Sequence, residues 1–178
     1  MIETEVKIRI QDRKAVLAKL LALGAVVSRE RHPEENTLYD FPEEKLRAGR
    51  RALRFRKSGR RQTLTFKGSP LPSRSFKVRE EFETAVSDGG QLRKILKALG
   101  LQPSFTYRKH RMLLRKGNLL ICLDETSAGD FLELEGKRHE ITRFARSLGF
   151  GRADFLQTDY VELIGQERKK GLGKTAAG

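Results

Sequence analysis

The sequence predicts an α+β domain with much antiparallel pairing, its strands charged on one face and apolar on the other. Three observations predict it. Helical segments with apolar side chains three and four apart each stop at a glycine. Between them lie stretches in which charged and apolar residues alternate with period two. Their order is strand, helix, several strands, helix, several strands, helix, which suits strands paired in runs rather than βαβ crossovers.

The first strand, Ile2 to Ile10, places Ile2, Thr4, Val6, Ile8 and Ile10 on one face and Glu3, Glu5, Lys7 and Arg9 on the other. Asp12 then N-caps a helix carrying Val16, Leu17, Leu20 and Leu21, and Gly24 ends it in the left-handed position after the last turn. The next alternating stretches are Ala52 to Lys57, Gln62 to Lys67 and Phe76 to Ala85, separated by Ser58-Gly59 and Gly68-Ser69-Pro70. In them Leu53, Phe55, Leu64, Phe66, Phe76, Val78 and Phe82 oppose Arg54, Arg56, Thr65, Lys67, Lys77, Arg79, Glu81 and Glu83, with Glu80 an exception on the apolar side. Asp88 caps a second helix that stops at Gly100. Tyr107 to Arg115, Leu119 to Asp124 and Phe131 to Gly136 follow, with Lys116-Gly117-Asn118 as a turn. A third helix around Ile141, Phe144, Ala145 and Leu148 stops at Gly149, and a short fourth spans Tyr160 to Ile164. Glu3-x-Glu5-x-Lys7 is echoed by Glu133-x-Glu135-x-Lys137, each followed by a helix.

A chain of 178 residues suits one sizeable domain. No apolar run is long enough to span a bilayer, so no membrane partner is expected. The acidic start MIETEVKIRI argues against a signal peptide, which makes the cytoplasm the expected location. Cys122 is the only cysteine, which excludes an intramolecular disulfide and a cysteine-rich zinc site. A net charge of +14 attracts polyanions: nucleic acid, phosphorylated metabolites or anionic lipid.

For any one strand, a charged face is best read as a solvated face. Here, however, the polar faces mix carboxylates with Lys and Arg in the same strand, and they recur on nearly every strand. If the strands close into a barrel with helices outside, those faces line a shared interior, where like charges repel unless ligands of both signs enter. Basic groups match phosphate oxygens and carboxylates match hard divalent cations that bridge phosphates. The mixture describes a metal–polyphosphate complex.

Glu3-Thr-Glu5-Val-Lys7 resembles the ExExK signature of the CYTH superfamily, the triphosphate tunnel metalloenzymes. The ordered series after it strengthens the resemblance: Leu53-Arg54-Phe-Arg56, Leu64-Thr-Phe-Lys67-Gly68, Arg79-Glu-Glu81-Phe-Glu83, Lys109-His-Arg111, Leu123-Asp124 and Phe131-Leu-Glu133-Leu-Glu135. The likeness runs from residue 2 to about residue 164, close to the whole chain. It implies a closed eight-stranded antiparallel β-barrel with a charged lumen, formed by residues 1–164 as a single domain. Residues 165–178 are expected to be a basic, disordered tail. The resemblance further implies that Glu3, Glu5, Glu81, Glu83, Asp124, Glu133 and Glu135 hold Mg²⁺ or Mn²⁺, not all of them as direct ligands. Lys7, Arg54, Arg56, Lys67, Arg79, Lys109 and Arg111 would grip the triphosphate, with Lys7, Lys109 and Arg111 as the expected catalytic residues. Arg9 and Lys77 share the inward parity but suit a rim or structural role, and Phe131 suits packing.

The expected activity is that of a class IV type adenylyl cyclase, converting ATP to cyclic AMP and pyrophosphate. The alternative within the family is hydrolysis of inorganic, thiamine or nucleoside triphosphate, and a more distant one is a polyphosphate- or nucleic-acid-binding module. Nucleic acid is disfavoured, because inward carboxylates repel a phosphate backbone and Trp is absent. ATP or another triphosphate is therefore the expected partner, and a homodimer is left open. Tyr39-Asp40 reads either as a turn at the tunnel mouth touching the nucleotide or as a plain structural turn. His32, His110 and His139 have no ligand spacing, His110 is expected to point away from the lumen, and no P-loop GxxxxGK[ST] occurs.

Overall fold

The computed structural model describes residues 2–175, with side chains described through residue 170. Its strands are β1 (Ile2–Ile10), β2 (Val26–Asp40), β3 (Ala52–Ser58), β4 (Arg61–Lys67), β5 (Lys77–Ala85), β6 (Gln102–Lys116), β7 (Leu119–Thr126), β8 (Gly129–Glu135) and β9 (Phe155–Leu156). The helices are α1 (Arg13–Ala22), α2 (Lys45–Ala48), α3 (Gly89–Ala98), α4 (Arg138–Ser147) and α5 (Tyr160–Thr175), with a 3₁₀ turn at Arg152–Asp154. The strands pair antiparallel in the order β5-β4-β3-β2-β6-β7-β8-β1, and β1 also pairs with β5. That last pairing closes an eight-stranded barrel; two-residue β9 adds to the outer part of β1.

Alternation decides what lies on each side of the wall. The apolar parity of β1, β6, β7 and β8 packs outward against α1 and α4 in a core that includes Val6, Ile8, Leu20, Leu114, Ile121, Leu134 and Ile141. A second cluster puts Leu96 of α3 against Phe55 and Tyr39, and a third puts Tyr160 and Ile164 of α5 against Tyr107 and Phe131. Asp12 and Asp88 cap α1 and α3 by accepting from backbone N–H groups of the first turn. Gly24, Gly100 and Gly149 end α1, α3 and α4 at φ of 77°, 83° and 93°, a conformation only glycine adopts without strain.

The structure extends the sequence reading in two places. The fifteen-residue β2 shows no period-two apolar pattern, because Pro33 and three register shifts against β6, between Val27 and Arg29, between Arg29 and His32 and between Leu38 and Tyr39, break its parity. It is nonetheless held along most of its length by β6 and along its second half by β3. Helix α5 continues past Ile164, where the fourth helix was expected to stop, and occupies most of the stretch expected to be a disordered tail. Arg168 gives a reason: its guanidinium lies over the Phe105 ring at 4.6 Å and donates to the Thr106 carbonyl at 2.8 Å, tying the helix to β6. The end of that tail, residues 176–178, lies outside the described residues. Among the described residues, no helix is long and apolar enough to cross a membrane.

Candidate active site

The polar parity of the strands lines one cavity of about 770 Å³. Its walls carry eleven Lys and Arg against eight Asp and Glu, so the lumen is densely charged with both signs. Register sorts these charges into three neighbourhoods.

One neighbourhood is saturated with ion pairs. Asp124 stands opposite Arg111 across β6 and β7 and is fully buried. It accepts from Arg111 Nε at 2.6 Å, Lys109 Nζ at 2.8 Å and the Tyr160 hydroxyl at 2.6 Å. Arg111 also donates to Glu133, which pairs with Lys7 at 3.5 Å. The Lys7 and Lys109 ammonium groups lie 3.7 and 4.6 Å from the Tyr160 ring centre, in cation–π geometry. Glu34 pairs with Arg56 at 3.3 Å, and Arg56 Nε donates to Asn36 Oδ1 at 2.8 Å. Burial raises the affinity of Asp124, Glu133 and Glu34 for a proton, yet Arg111 and the neighbouring Lys and Arg groups prevail and hold all three below the usual carboxylate range.

These depressed values fix a pH dependence. Asp124 and Glu34 titrate in the unfolded chain near their ordinary values of 3.8 and 4.5 and lower in the folded one. Between those limits the unfolded chain binds more protons, so their stabilisation is complete above about 5 and is lost as pH falls through the folded values. Urea titrations of the wild type should show the midpoint rising from pH 7 to 5, where the raised carboxyls of Glu3 and Glu135 take up protons in the folded chain, and falling below 4, where Asp124 and Glu34 take them up in the unfolded chain first. Glu34→Gln should flatten the acid limb, and an unchanged limb would count against the pairing.

The second neighbourhood is acidic. Glu3 and Glu5 on β1, Glu135 on β8 and Glu81 on β5 approach one another, with Lys67 reaching Glu3 at 3.2 Å and also bonding Glu81. Lys77 reaches Glu5 at 3.6 Å. Burial, a bond to Glu81 and nearby carboxylates push Glu3 up to about 7; burial and the charges of Glu3 and Glu5 push Glu135 up to about 7. Glu5 is lowered: burial and Glu133 act upward, and Lys77, Lys67 and Lys7 outweigh them. Among the described residues, no three His, Cys, Asp or Glu are already arranged around a single point as a metal centre. The chemistry of the cluster still fits a hard divalent cation: its donors are all carboxylate oxygens, and burial and mutual crowding raise the proton affinity of Glu3 and Glu135.

The third neighbourhood is receptive to anions. Arg54 on β3 donates to Thr65 Oγ1 at 3.2 Å, and Thr65 in turn donates to Glu83 at 2.8 Å. Among the described residues, the buried Nε atoms of Arg54 and Arg79 have no partner, and neither side chain belongs to an ion pair. A buried guanidinium N–H left unpaired is costly, and a phosphate oxygen would satisfy it.

The structure thus regroups the expected site residues. Glu3, Glu5, Glu81 and Glu135 come together, whereas Asp124 and Glu83 do not join them. Asp124 is surrounded by Arg111, Lys109 and Tyr160, and Glu83 is largely exposed, pairing with Arg61 at 3.5 Å. Glu133 sits between the two groups. Lys7, Lys109 and Arg111 face the lumen but are engaged by carboxylates. Arg9 takes a structural place over the Phe131 ring, donating to the Ala128 carbonyl. Tyr39-Asp40 resolves to the structural reading: Tyr39 is in the core, and Asp40 accepts from the backbone N–H groups of Phe41, Leu46 and Arg47, shaping the turn into α2.

The sequence profile of the CYTH domain matches residues 1–149. The chain belongs to the CYTH family. A Methanocaldococcus jannaschii protein provisionally named an adenylate cyclase is 28% identical over 176 residues, covering 93% of this chain and 99% of its own. A Vibrio parahaemolyticus structure, also provisionally an adenylate cyclase, superposes with a TM-score of 0.83 at 20% identity, covering 93% of this chain and 98% of its own. The Pyrococcus horikoshii protein PH1012 superposes at 0.77 with 26% identity, covering 90% and 98%. A further CYTH-like structure, from Hippeastrum, is provisionally an adenylyl cyclase and is described as having a dominant triphosphatase activity; it superposes at 0.68 with 18% identity, covering 93% of this chain and 96% of its own.

Several lumen residues escaped the sequence reading of this CYTH chain. Glu34 and Asn36 lie on the parity-broken β2. Cys122 faces the cavity from β7, where Leu120 and Cys122 look like core positions, and burial pushes its thiol well up. Tyr160 comes from α5, beyond the matched residues, and carried no signal except its place at the start of an apolar turn.

Proposed function

We propose that this CYTH protein is a metal-dependent enzyme that acts on a triphosphate inside its barrel, as a class IV type adenylyl cyclase. The observation that carries the reading is that the buried Nε groups of Arg54 and Arg79, which have no hydrogen-bond partner among the described residues, share one cavity with the mutually crowded carboxylates Glu3, Glu5 and Glu135. Anion-receptive and cation-receptive groups together fit a triphosphate carrying a divalent metal, and neither a bare polyanion nor a bare cation satisfies both. The name borne by the M. jannaschii relative, whose whole length aligns, favours cyclisation.

Glu3, Glu5 and Glu135 would hold Mg²⁺ or Mn²⁺, with Glu81 and Glu133 flanking, and the bound ion would neutralise phosphate oxygens and help activate the nucleophile. Arg54 and Arg79 grip phosphate oxygens, with Lys67 and Arg56 adjoining. Lys7, Lys109 and Arg111, held in place by Glu133 and Asp124, supply fixed positive potential that costs little reorganisation as charge develops. In cyclisation, the ribose 3′-oxygen bonds to the α-phosphorus, the α–β bridging bond breaks, pyrophosphate leaves and the hydroxyl proton is released. Hydrolysis is the second reading, because the basic groups assigned above all address phosphate oxygens and because a similar fold in the Hippeastrum protein accompanies triphosphatase activity.

Product analysis with Mg²⁺ or Mn²⁺ tests the choice. Cyclisation yields cyclic AMP and pyrophosphate in equal amounts from ATP, with no orthophosphate. Orthophosphate from tripolyphosphate and no cyclic product would overturn it. Arg54→Ala removes a charged hydrogen-bonding group of about 1.5–3 kcal/mol, so KM for the triphosphate should rise about tenfold to a hundredfold. Because Arg54 makes no ion pair among the described residues, the melting temperature should hardly move, and an unchanged KM would remove Arg54 from the site.

A further inference from the structure

A second groove, of about 760 Å³, lies on the outside of the barrel between α4 and the loop joining β4 to β5. Its basic lining is Arg74, Arg138, His139, Arg143, Arg146 and Arg152, and among the described residues no carboxylate lines it. Among the described residues, none of these five arginines belongs to an ion pair. The tunnel interleaves acids with its bases, so this groove differs from it in kind. It also has no acidic set with which to hold a metal.

The arrangement follows from α4. Ile141, Phe144, Ala145 and Leu148 turn inward to the core, which leaves Arg138, Thr142 and Arg146, and with them His139 and Arg143, on the outer face at spacings of three and four. Eight residues of helix put Arg138 and Arg146 about 12 Å apart along the axis. Arg74 from the β4–β5 loop and Arg152 from the 3₁₀ turn complete the walls. Ser75 contributes a hydroxyl, and the loop is fastened to the rest of the chain where Gln157 donates to the Ser73 carbonyl at 3.1 Å.

We infer that this groove binds a short phosphate chain such as tripolyphosphate without metal, at a site separate from the tunnel. Several guanidiniums converge on one concavity free of carboxylates, and their planar forks match phosphate oxygens in pairs. A concave site of this size suits a compact anion. A single-stranded nucleic acid would call for exposed aromatic rings to stack its bases. Among the described residues the one aromatic side chain lining the groove, Phe76, is buried and lies beneath Arg138, with 5.7 Å between guanidinium and ring. The inference does not depend on which reaction the tunnel performs.

Isothermal titration of the full chain with tripolyphosphate in EDTA tests it. The outer site should appear as a binding event retained in Arg54→Ala and weakened at least about tenfold in Arg143→Ala/Arg146→Ala. It should weaken steeply as KCl is raised. Arg74→Ala/Arg152→Ala, on the opposite wall, should give the same loss, and circular dichroism of both double variants should match the wild type. If one pair disturbs folding, the other decides. Metal-free binding that is absent, or that disappears only in Arg54→Ala, would overturn the inference. So would tighter binding of a short single-stranded RNA than of tripolyphosphate at the same groove.

Discussion

Replacing Asp124 with alanine should cost about 3–5 kcal/mol of folding stability, the penalty for breaking a buried ion pair and leaving its partners uncompensated. Asp124 is fully buried, so no solvent screening softens the loss. Among the described residues, Lys109, itself almost wholly buried, would keep one ion pair, to Glu34 at 3.7 Å, and Arg111 one, to Glu133. Tyr160 would lose its hydroxyl's acceptor and α5 one of its attachments. Against a typical native stability of about 5–15 kcal/mol, the variant would stand near the limit of folding. Urea denaturation measures this directly. A midpoint unchanged from wild type would mean that Asp124 does not anchor the lumen.

Glu135→Ala should have the opposite profile, with the fold intact and the metal-dependent activity gone. The loss should be at least the roughly 10–100-fold seen when even an outer-shell partner of a metal is removed. Glu135 makes no ion pair among the described residues, and its carboxyl is raised to about 7 by burial, Glu3 and Glu5. Its ionised form is therefore a burden on the metal-free protein above that pH, whereas below about 4.5 it is protonated in both states and neutral in its effect. At pH 8 without divalent ions, the variant should melt no lower than wild type. Added Mg²⁺ or Mn²⁺ should raise the wild-type melting temperature and raise that of the variant much less. A full metal-induced shift in Glu135→Ala would exclude Glu135 from the cation site.

These two carboxylates show what the sequence could and could not convey. Alternation along β8 places Glu135 on the polar parity with Glu133, whereas β7 is apolar on both faces up to Asp124, which only the family pattern singled out; both are inward. Alternation is silent about what stands opposite, because that depends on strand order and register. Pairing of β6 with β7 sets Asp124 against Arg111, while pairing of β1 with β8 sets Glu135 against Glu5. One acid is consequently neutralised by basic groups and the other crowded by acids, although the family pattern treats them alike. The apolar parity was easier to read: Val6, Ile8, Leu132 and Leu134 lie in the core where period two put them. Strand β2 was the hardest, since both its faces are polar and its bulges shift the parity before Glu34 and Asn36. Tyr160 was hidden for another reason. Its role comes from where α5 docks, a tertiary fact with no local pattern.

The central claim is that the tunnel takes a triphosphate with its metal between the acidic cluster and the unpaired guanidiniums. A crystal structure with Mn²⁺ and a non-hydrolysable ATP analogue tests it most directly, with anomalous scattering locating the manganese. The account predicts manganese bound by Glu3, Glu5 or Glu135, with phosphate oxygens on Arg54 and Arg79 and Asp124 still paired with Arg111. Manganese coordinated by Asp124, or a triphosphate bound only outside the barrel, would contradict it.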